Sequence, residues 1–261
     1  MIKTHPGGEP SVRGTPHSSP SASRNRLLAC HLLSHEERQA LADAMSSSRS
    51  LEAHADLARE GDRADNLFII TDGWACRYTT TREGGRQFPA LLVAGDVCNL
   101  DSLMFERLDY GVRTLTKATI TVLSRDRAAA LVALHPGIGR AFTWLAMVEN
   151  TTLSKWAQSL GRRSARERLA HLLCELSVRL VSERAGGCSY GFPLTQEHMA
   201  DALGLTSVHV NRTMRQLREE GLVEIEGRVM TLPNVAHLQH VGGFDRGYLH
   251  VDPTEAQRFS A

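Results

Sequence analysis

The spacing of the apolar residues changes period once along this chain, at Pro136, and that switch limits the possible folds more than any other feature. Before it, short apolar runs recur at Leu67 to Ile70, Trp74 to Tyr78, Phe88 to Val93, Val112 to Thr116 and Ile120 to Leu123. Turn signals separate them: Glu60-Gly61-Asp62, Thr71-Asp72-Gly73, Glu83-Gly84-Gly85 and Ala94-Gly95-Asp96. Short strands punctuated by Gly and Asp at regular intervals predict a β-barrel or sandwich. After Pro136, Ile138, Phe142, Leu145, Val148, Thr152 and Trp156 step by three and four. That period predicts a helix over 137–160, about 36 Å long at 1.5 Å per residue. A single barrel can cover only one side of such a helix, and the opposite side carries Trp144, Met147 and Leu153. One stripe therefore suits the chain's own barrel and another a partner's helix, as in a coiled-coil dimer. The dimer interface is assigned to Phe142, Leu145, Val148, Thr152 and Trp156; the alternative is an intramolecular core helix.

The flanks are read from composition and caps. Residues 1–23 are rich in Pro, Gly, Ser and Thr and predict a disordered tail. Ser34-His35-Glu36-Glu37 has the form of a capping box opening a short helix. A further amphipathic helix is expected from Ser164 to Glu183, ended by Gly186-Gly187 and followed by a loop over 186–192. The domains are then a tail (1–23), a barrel (24–135), a long helix (136–163), a C-terminal domain (164–240) and a frayed extension (241–261).

The informative stretch is 193–232. Thr195 suits an N-cap, with Met199, Ala202 and Leu203 marking the inner face of a short helix, and Gly204 supplies the sharp turn after it. Thr206 then caps a second helix whose Val210, Met214 and Leu217 form a buried stripe. Helix, glycine turn and helix make the helix-turn-helix plan, and 222–232 reads as a tight hairpin, the wing. The outward face of the second helix carries Ser207, His209, Asn211, Arg212, Arg215 and Arg218. Arg grips guanine bidentately and Asn does the same for adenine. The whole chain has 30 Lys+Arg against 29 Asp+Glu, a net charge of only +1. From Thr206 to Arg218, however, there are three Arg and no acid. The positive charge is focused on one helix.

Residues 27–240 as a whole resemble the Crp/Fnr family of transcription regulators. The resemblance rests on Arg59-Glu-Gly-Asp62, Leu67-Phe-Ile-Ile-Thr-Asp-Gly73, Ala94-Gly-Asp96, the long helix, and Gly204-Leu-Thr206 within the helix-turn-helix. It implies an α+β chain: an N-terminal cyclic-nucleotide-binding-like β-barrel (a double-stranded β-helix), a long dimerisation helix, and a C-terminal winged helix-turn-helix. It further implies a homodimer on palindromic double-stranded DNA, with RNA polymerase as a further partner. By resemblance, Ser207, Val208 and Arg212 fall on base-reading positions and Thr206 and His209 near phosphates; Asn211 and Arg215 complete the expected DNA-binding set. Val208 stands where the family often has Glu, so a cytosine-accepting group is exchanged for one that suits a thymine methyl.

In cyclic-nucleotide-binding relatives a Gly-Glu-Leu followed by Arg-Ser/Thr cradles ribose and phosphate. Here Leu100 replaces the carboxylate and Tyr110 the Arg, so Asn99, Leu100, Asp101 and Tyr110 are the candidate pocket and cyclic AMP is not the expected ligand. Asp101 and Arg113 are the out-of-register substitutes. The five cysteines (Cys30, Cys76, Cys98, Cys174, Cys188) are scattered, without the clustering an iron–sulfur site needs, so the cofactor is left unknown. A metalloenzyme on the barrel would need a His/His/Glu cluster, and residues 50–125 contain only His54, so no catalytic residue is expected. With 42% hydrophobic residues, no apolar run of about 18 residues and no signal-peptide core, the chain is expected to be cytoplasmic and to have no membrane partner. The competing function is a ligand sensor or interaction protein without DNA binding.

Overall fold

The computed structural model describes residues 26–180 and 188–251. The tail expected over 1–23, the end of the helix expected to reach Glu183, and residues 252–261 lie outside the described residues.

Two sheets make the barrel. One has the order β1-β7-β3, from β1 (Ser48–Leu51), β3 (Asn66–Asp72) and β7 (Ala118–Ser124). The other runs β2-β6-β4-β5, from β2 (Asp56–Ala58), β4 (Trp74–Thr80), β5 (Arg86–Val93) and β6 (Gly111–Thr114). The hairpin joining β3 to β4 turns at Gly73, whose φ is +85°. A Cβ there would lie 2.4 Å from the Lys117 carbonyl oxygen, so only glycine fits.

Strand alternation explains why these runs are apolar on both faces. In β3, Phe68 and Ile70 point into the barrel with Ala75, Leu92 and Val112. Leu67 and Ile69 point out, into a second cluster beneath α1 (His35–Ala44), α2 (Arg125–Leu134) and α3 (Pro136–Arg162). In β4, Ala75 faces inward, whereas Trp74 and Cys76 join a third cluster with the C-terminal domain. The barrel is therefore sandwiched between helices on one side and the C-terminal domain on the other.

Proline at the first position of α3 sets its start. The Glu37 carboxylate reaches across to accept from Gly137 N (2.6 Å) while also accepting from Ser34 N (2.9 Å). The stripe assigned from sequence to a partner is corrected here. Phe142 and Leu145 are buried under the chain's own β3 and α1, Val148 is buried one turn further on, Thr152 is half-buried, and the half-buried Trp156 donates from Nε1 to Glu175 (2.8 Å). The face left open carries Met147 and Leu153, with Trp144 half-buried beside them. Periodicity finds both stripes but cannot say which one the barrel takes.

The C-terminal domain comprises α4 (Ala165–Leu180), β8 (Cys188–Gly191), α5 (Gln196–Leu203), α6 (Ser207–Glu219), β9 (Glu224–Glu226), β10 (Val229–Leu232) and α7 (Val235–Gly242). Its sheet order is β8-β10-β9. The loop expected over 186–192 is thus a strand at 188–191, where Tyr190 is buried and donates from its hydroxyl to Leu173 O (2.9 Å). The frayed extension is also corrected as far as residue 251. Phe244, Tyr248 and Leu249 are buried, and α7 packs so closely on α4 that a Cβ at Gly242 would lie 2.6 Å from His171 N. Gly242 thus serves close approach, while Gly243, at φ +51°, ends α7. No helix among the described residues is long and apolar enough to cross a membrane.

Candidate nucleic-acid interface

Local caps place the two helices of the candidate interface. Thr195 Oγ1 accepts from His198 N (3.1 Å) to start α5, and Gly204, at φ +61°, ends it. Thr206 Oγ1 accepts from His209 N (3.2 Å) to start α6. That hydroxyl is therefore committed to the cap. Val210, Thr213, Met214 and Leu217 turn inward and are buried.

The outward side is bare. Val208 is 78% exposed, and His209, Asn211, Arg212, Arg215 and Arg218 are exposed with it, while Ser207 is half-buried. Val208, Asn211, Arg212 and Arg215 are neighbours at three- and four-residue spacing on one face. The three arginines are not equivalent. Arg215 Nε lies 3.6 Å from Glu219 Oε1, whereas Arg212 and Arg218 have no ion pair among the described residues. Glu220, the next carboxylate, is drawn away by Arg166 of α4, with Gln216 donating to it as well (3.0 Å). The Arg166 guanidinium holds its carboxyl below the usual range. A solvent-facing helix side with unengaged guanidinium and amide donors suits phosphate oxygens and base edges.

The candidate ligand residues come out differently. Asn99 is fully buried and spent on structure: its Oδ1 accepts from Phe68 N (2.9 Å) and its Nδ2 donates to Asn66 O (2.8 Å). Leu100 is core. Tyr110 donates to Asp101 Oδ1 (2.6 Å), so these two satisfy each other. Arg113 does not reach them; it forms a fork on Asp56 (2.7 and 3.1 Å) and stacks on Tyr78. The residue that sequence reasoning missed is Arg77. Its guanidinium is buried 4.8 Å from the Tyr110 ring centroid, donates to Cys98 O (2.5 Å) and pairs with Glu149 of α3. The only sequence signal for it was an arginine inside an otherwise apolar strand.

Barrel and C-terminal domain are joined by polar contacts as well as by the shared core. Arg86 Nε lies 2.6 Å from Asp201 Oδ2, linking β5 to α5. Deeper in, a chain of buried groups crosses the joint. His171 Nε2 meets the Tyr248 hydroxyl (3.1 Å), which donates to Glu175 Oε2 (2.8 Å). Glu175 Oε1 accepts from Arg179 Nη1 (3.1 Å), and Arg179 Nη2 donates to Asp96 Oδ2 (2.5 Å) in the barrel. Burial works against the Asp96 charge, but Arg179 and Arg26 together hold its carboxyl below the usual range. Burial pushes His171 down to about 4, so it is neutral at pH 7. The cysteine thiols of the core are pushed up by burial, Cys76 and Cys174 to about 12, which leaves them unreactive. Among the described residues no three His, Cys, Asp or Glu side chains converge to hold a metal ion.

Comparison with known proteins gives a consistent picture. A family model of the Crp-like helix-turn-helix domain matches residues 167–241, and one of the cyclic nucleotide-binding domain matches residues 48–135. The chain is similar to the transcriptional activator protein FnrL of Cereibacter sphaeroides, 28% identical, over 76% of this chain and 81% of that protein. It is also similar to the fumarate and nitrate reduction regulatory protein of Vibrio cholerae, 22% identical, over 86% and 90% of the two chains. Among solved structures, FixK2 from Bradyrhizobium japonicum superposes with a TM-score of 0.70 at 22% identity, covering 76% of this chain and 98% of its own. A CooA variant from Carboxydothermus hydrogenoformans gives 0.63 at 17%, covering 87% and 97%.

Proposed function

Because this chain belongs to the Crp/Fnr family of DNA-binding transcription regulators, with a cyclic-nucleotide-binding-type domain and a Crp-like helix-turn-helix, we propose that it acts as a homodimer on a two-fold symmetric operator. Each protomer lays α6 in a major groove. The observation that carries this reading is the outer face of α6. Arg212 and Arg218 are exposed and without carboxylate partners among the described residues, whereas the inner stripe of the same helix is buried. Arg212 and Asn211 read guanine and adenine edges, Val208 meets a thymine methyl, and Ser207, Thr206 and His209 lie toward the backbone. The half-sites then lie about one helical turn, roughly 34 Å, apart. The operator-bound dimer works on RNA polymerase, in line with the family's role in transcription.

The dimer seam is the open face of α3. Met147 is 59% exposed and Leu153 38%, on a helix whose other side is already covered. Exposed apolar side chains on that helix, Met147 above all, suit a partner helix. The barrel works without cyclic AMP, since Tyr110 and Asp101 already satisfy each other and the nearby Arg77 is paired with Glu149. A phosphate entering there would find no free guanidinium among the four candidate residues.

Operator selection from random DNA with the purified protein, alongside its mass in solution, tests the reading. Enrichment of an inverted repeat by a dimer is expected without added nucleotide. A strict monomer, or selected sites lacking two-fold symmetry, would overturn it. Met147→Glu should convert dimer to monomer and weaken operator binding.

A further inference from the structure

The first turn of α5, the helix that precedes α6, is built on a histidine where a capping box usually carries Glu or Gln. Thr195 Oγ1 accepts from His198 N, and in return Thr195 N donates to His198 Nδ1 (3.4 Å). A glutamine amide oxygen accepts at any pH, whereas an imidazole nitrogen accepts only while the ring is neutral. His198 is also where α5 meets the barrel. It is buried, with its ring centroid 6.0 Å from that of Phe88 of β5 and 6.0 Å from that of His54, between β1 and β2. His54 holds a left-handed backbone (φ +64°) that glycine would take without strain. Its N–H is pinned on Thr114 O (2.9 Å), which keeps the ring over α5.

We propose that His198 is a positioning residue for DNA reading, which holds the start of α5 against the barrel while neutral and releases it when protonated. Protonation acts in three ways at once. It turns Nδ1 into a donor facing the donor Thr195 N, so the box opens. It puts a cation in the first turn of a helix, at the positive end of the dipole. It also adds charge to a surface that already holds Arg86 of β5 and His54. The facing carboxylates, Glu197 and Asp201, are on α5 itself, and Asp201 is engaged by Arg86. The Phe88 ring gives no relief, since the Arg86 guanidinium lies over it, 5.2 Å from its centroid. From the other side, α6 meets α5 with an uncharged stripe, and Arg168 of α4 reaches only the far end, donating to Leu203 O (3.0 Å). Burial first, then His54 and Arg86, push the His198 imidazole below its ordinary value. The opened joint therefore binds a proton more tightly than the closed one, and acid favours opening.

The consequence for DNA follows from the order of the two helices. In a helix-turn-helix the first helix crosses the DNA backbone while the second enters the groove. Met199, Ala202 and Leu203 of α5 share one core with Val210, Met214 and Leu217 of α6, so a shift of α5 carries α6 with it. The effect on DNA rests on the operator reading above, but the opening of α5 does not.

The test uses the full-length protein and the operator duplex obtained by selection, at fixed ionic strength, from about pH 7.5 down to about pH 5.5. Wild type should lose about tenfold in operator affinity across that range, and His198→Gln, whose amide oxygen keeps the box without titrating, about twofold or less. Comparing the two cancels whatever His171 and His209 contribute, since both proteins keep them. At the upper pH His198→Ala should bind about fivefold more weakly than wild type, and His198→Gln should recover most of that loss. His54→Gly suits the left-handed backbone and should shrink the acid loss to about threefold. Without DNA, hydrogen-exchange protection of the Thr195 and His198 amides should fall with pH in wild type and hold in His198→Gln. Parallel affinity profiles for wild type and His198→Gln, glutamine no better than alanine at the upper pH, or protection of α5 independent of pH would each overturn the inference. Absence of operator binding at the upper pH would sink the operator reading instead, and the exchange measurement would still decide for or against His198.

Discussion

Arg179 and Arg212 sit in the same C-terminal domain and are used in opposite ways. Arg179 is sealed between α4 and the barrel, with Asp96, Glu175 and Leu91 O all bonded to it. Its charge can be met only by those groups, so it fixes how the two halves are set against each other. Arg212 stands exposed on α6 with no carboxylate partner among the described residues. Its charge is unspent within the chain and available to a partner. Burial turns an arginine into a joint; exposure leaves it as a reader.

That contrast can be broken in order of effect. Arg179→Ala leaves Glu175 buried without its cation and Asp96 with Arg26 alone, and should cost about 3–5 kcal/mol in denaturant unfolding, whereas Arg212→Ala should change stability by less than about 0.5 kcal/mol. Equal losses from the two would erase the distinction. Next in size is a pH effect confined to the joint. The folded pKa of His171 is depressed to about 4, below the value near 6.5 of the unfolded chain. The unfolded state therefore takes up a proton first as pH falls. Stability should drop by about 3 kcal/mol between pH 6.5 and 4, and His171→Gln should flatten that slope. His198, also lowered chiefly by burial, adds in the same direction. A smaller effect belongs to the reader side. Arg212→Ala should weaken operator binding by about 1–3 kcal/mol and relax one base position; a uniform loss on every sequence would make it a phosphate contact. Smallest, Thr206→Ala removes the cap of α6 and should lower stability by about 1 kcal/mol, read as a shift in the unfolding midpoint.

The reader side was legible because its signals are short-range. Thr195, Gly204 and Thr206 act within three or four residues, and the Val210, Met214, Leu217 stripe has a single period. The joint was not, because Asp96 and Arg179 are 83 residues apart and Glu175 and Tyr248 are 73 apart. Nothing local distinguishes an aspartate that closes a turn from one that receives an arginine across a domain boundary. The same limit explains the long helix. Both apolar stripes of α3 were visible, but only the packing of β3 and α1 decides that Phe142 and Leu145 belong inside. It explains the C-terminal end as well, where Gly242 and Gly243 resemble the start of a loose tail until Tyr248 and Leu249 are seen buried on the far side.

The shared core beneath β4 and β5 also governs how the molecule comes apart. Trp74, Cys76, Phe88, Leu91 and Val93 of the barrel pack in one cluster with Leu169, Leu173, Met199 and Leu203 of the C-terminal half. Pulling the halves apart would uncover that apolar surface on both at once. Neither can melt while the other stays dry, so the barrel and the helix-turn-helix should unfold as one cooperative unit, in a single calorimetric transition. A barrel expressed alone, ending before α4, would carry the exposed face of β4 and β5 as a sticky surface and should self-associate.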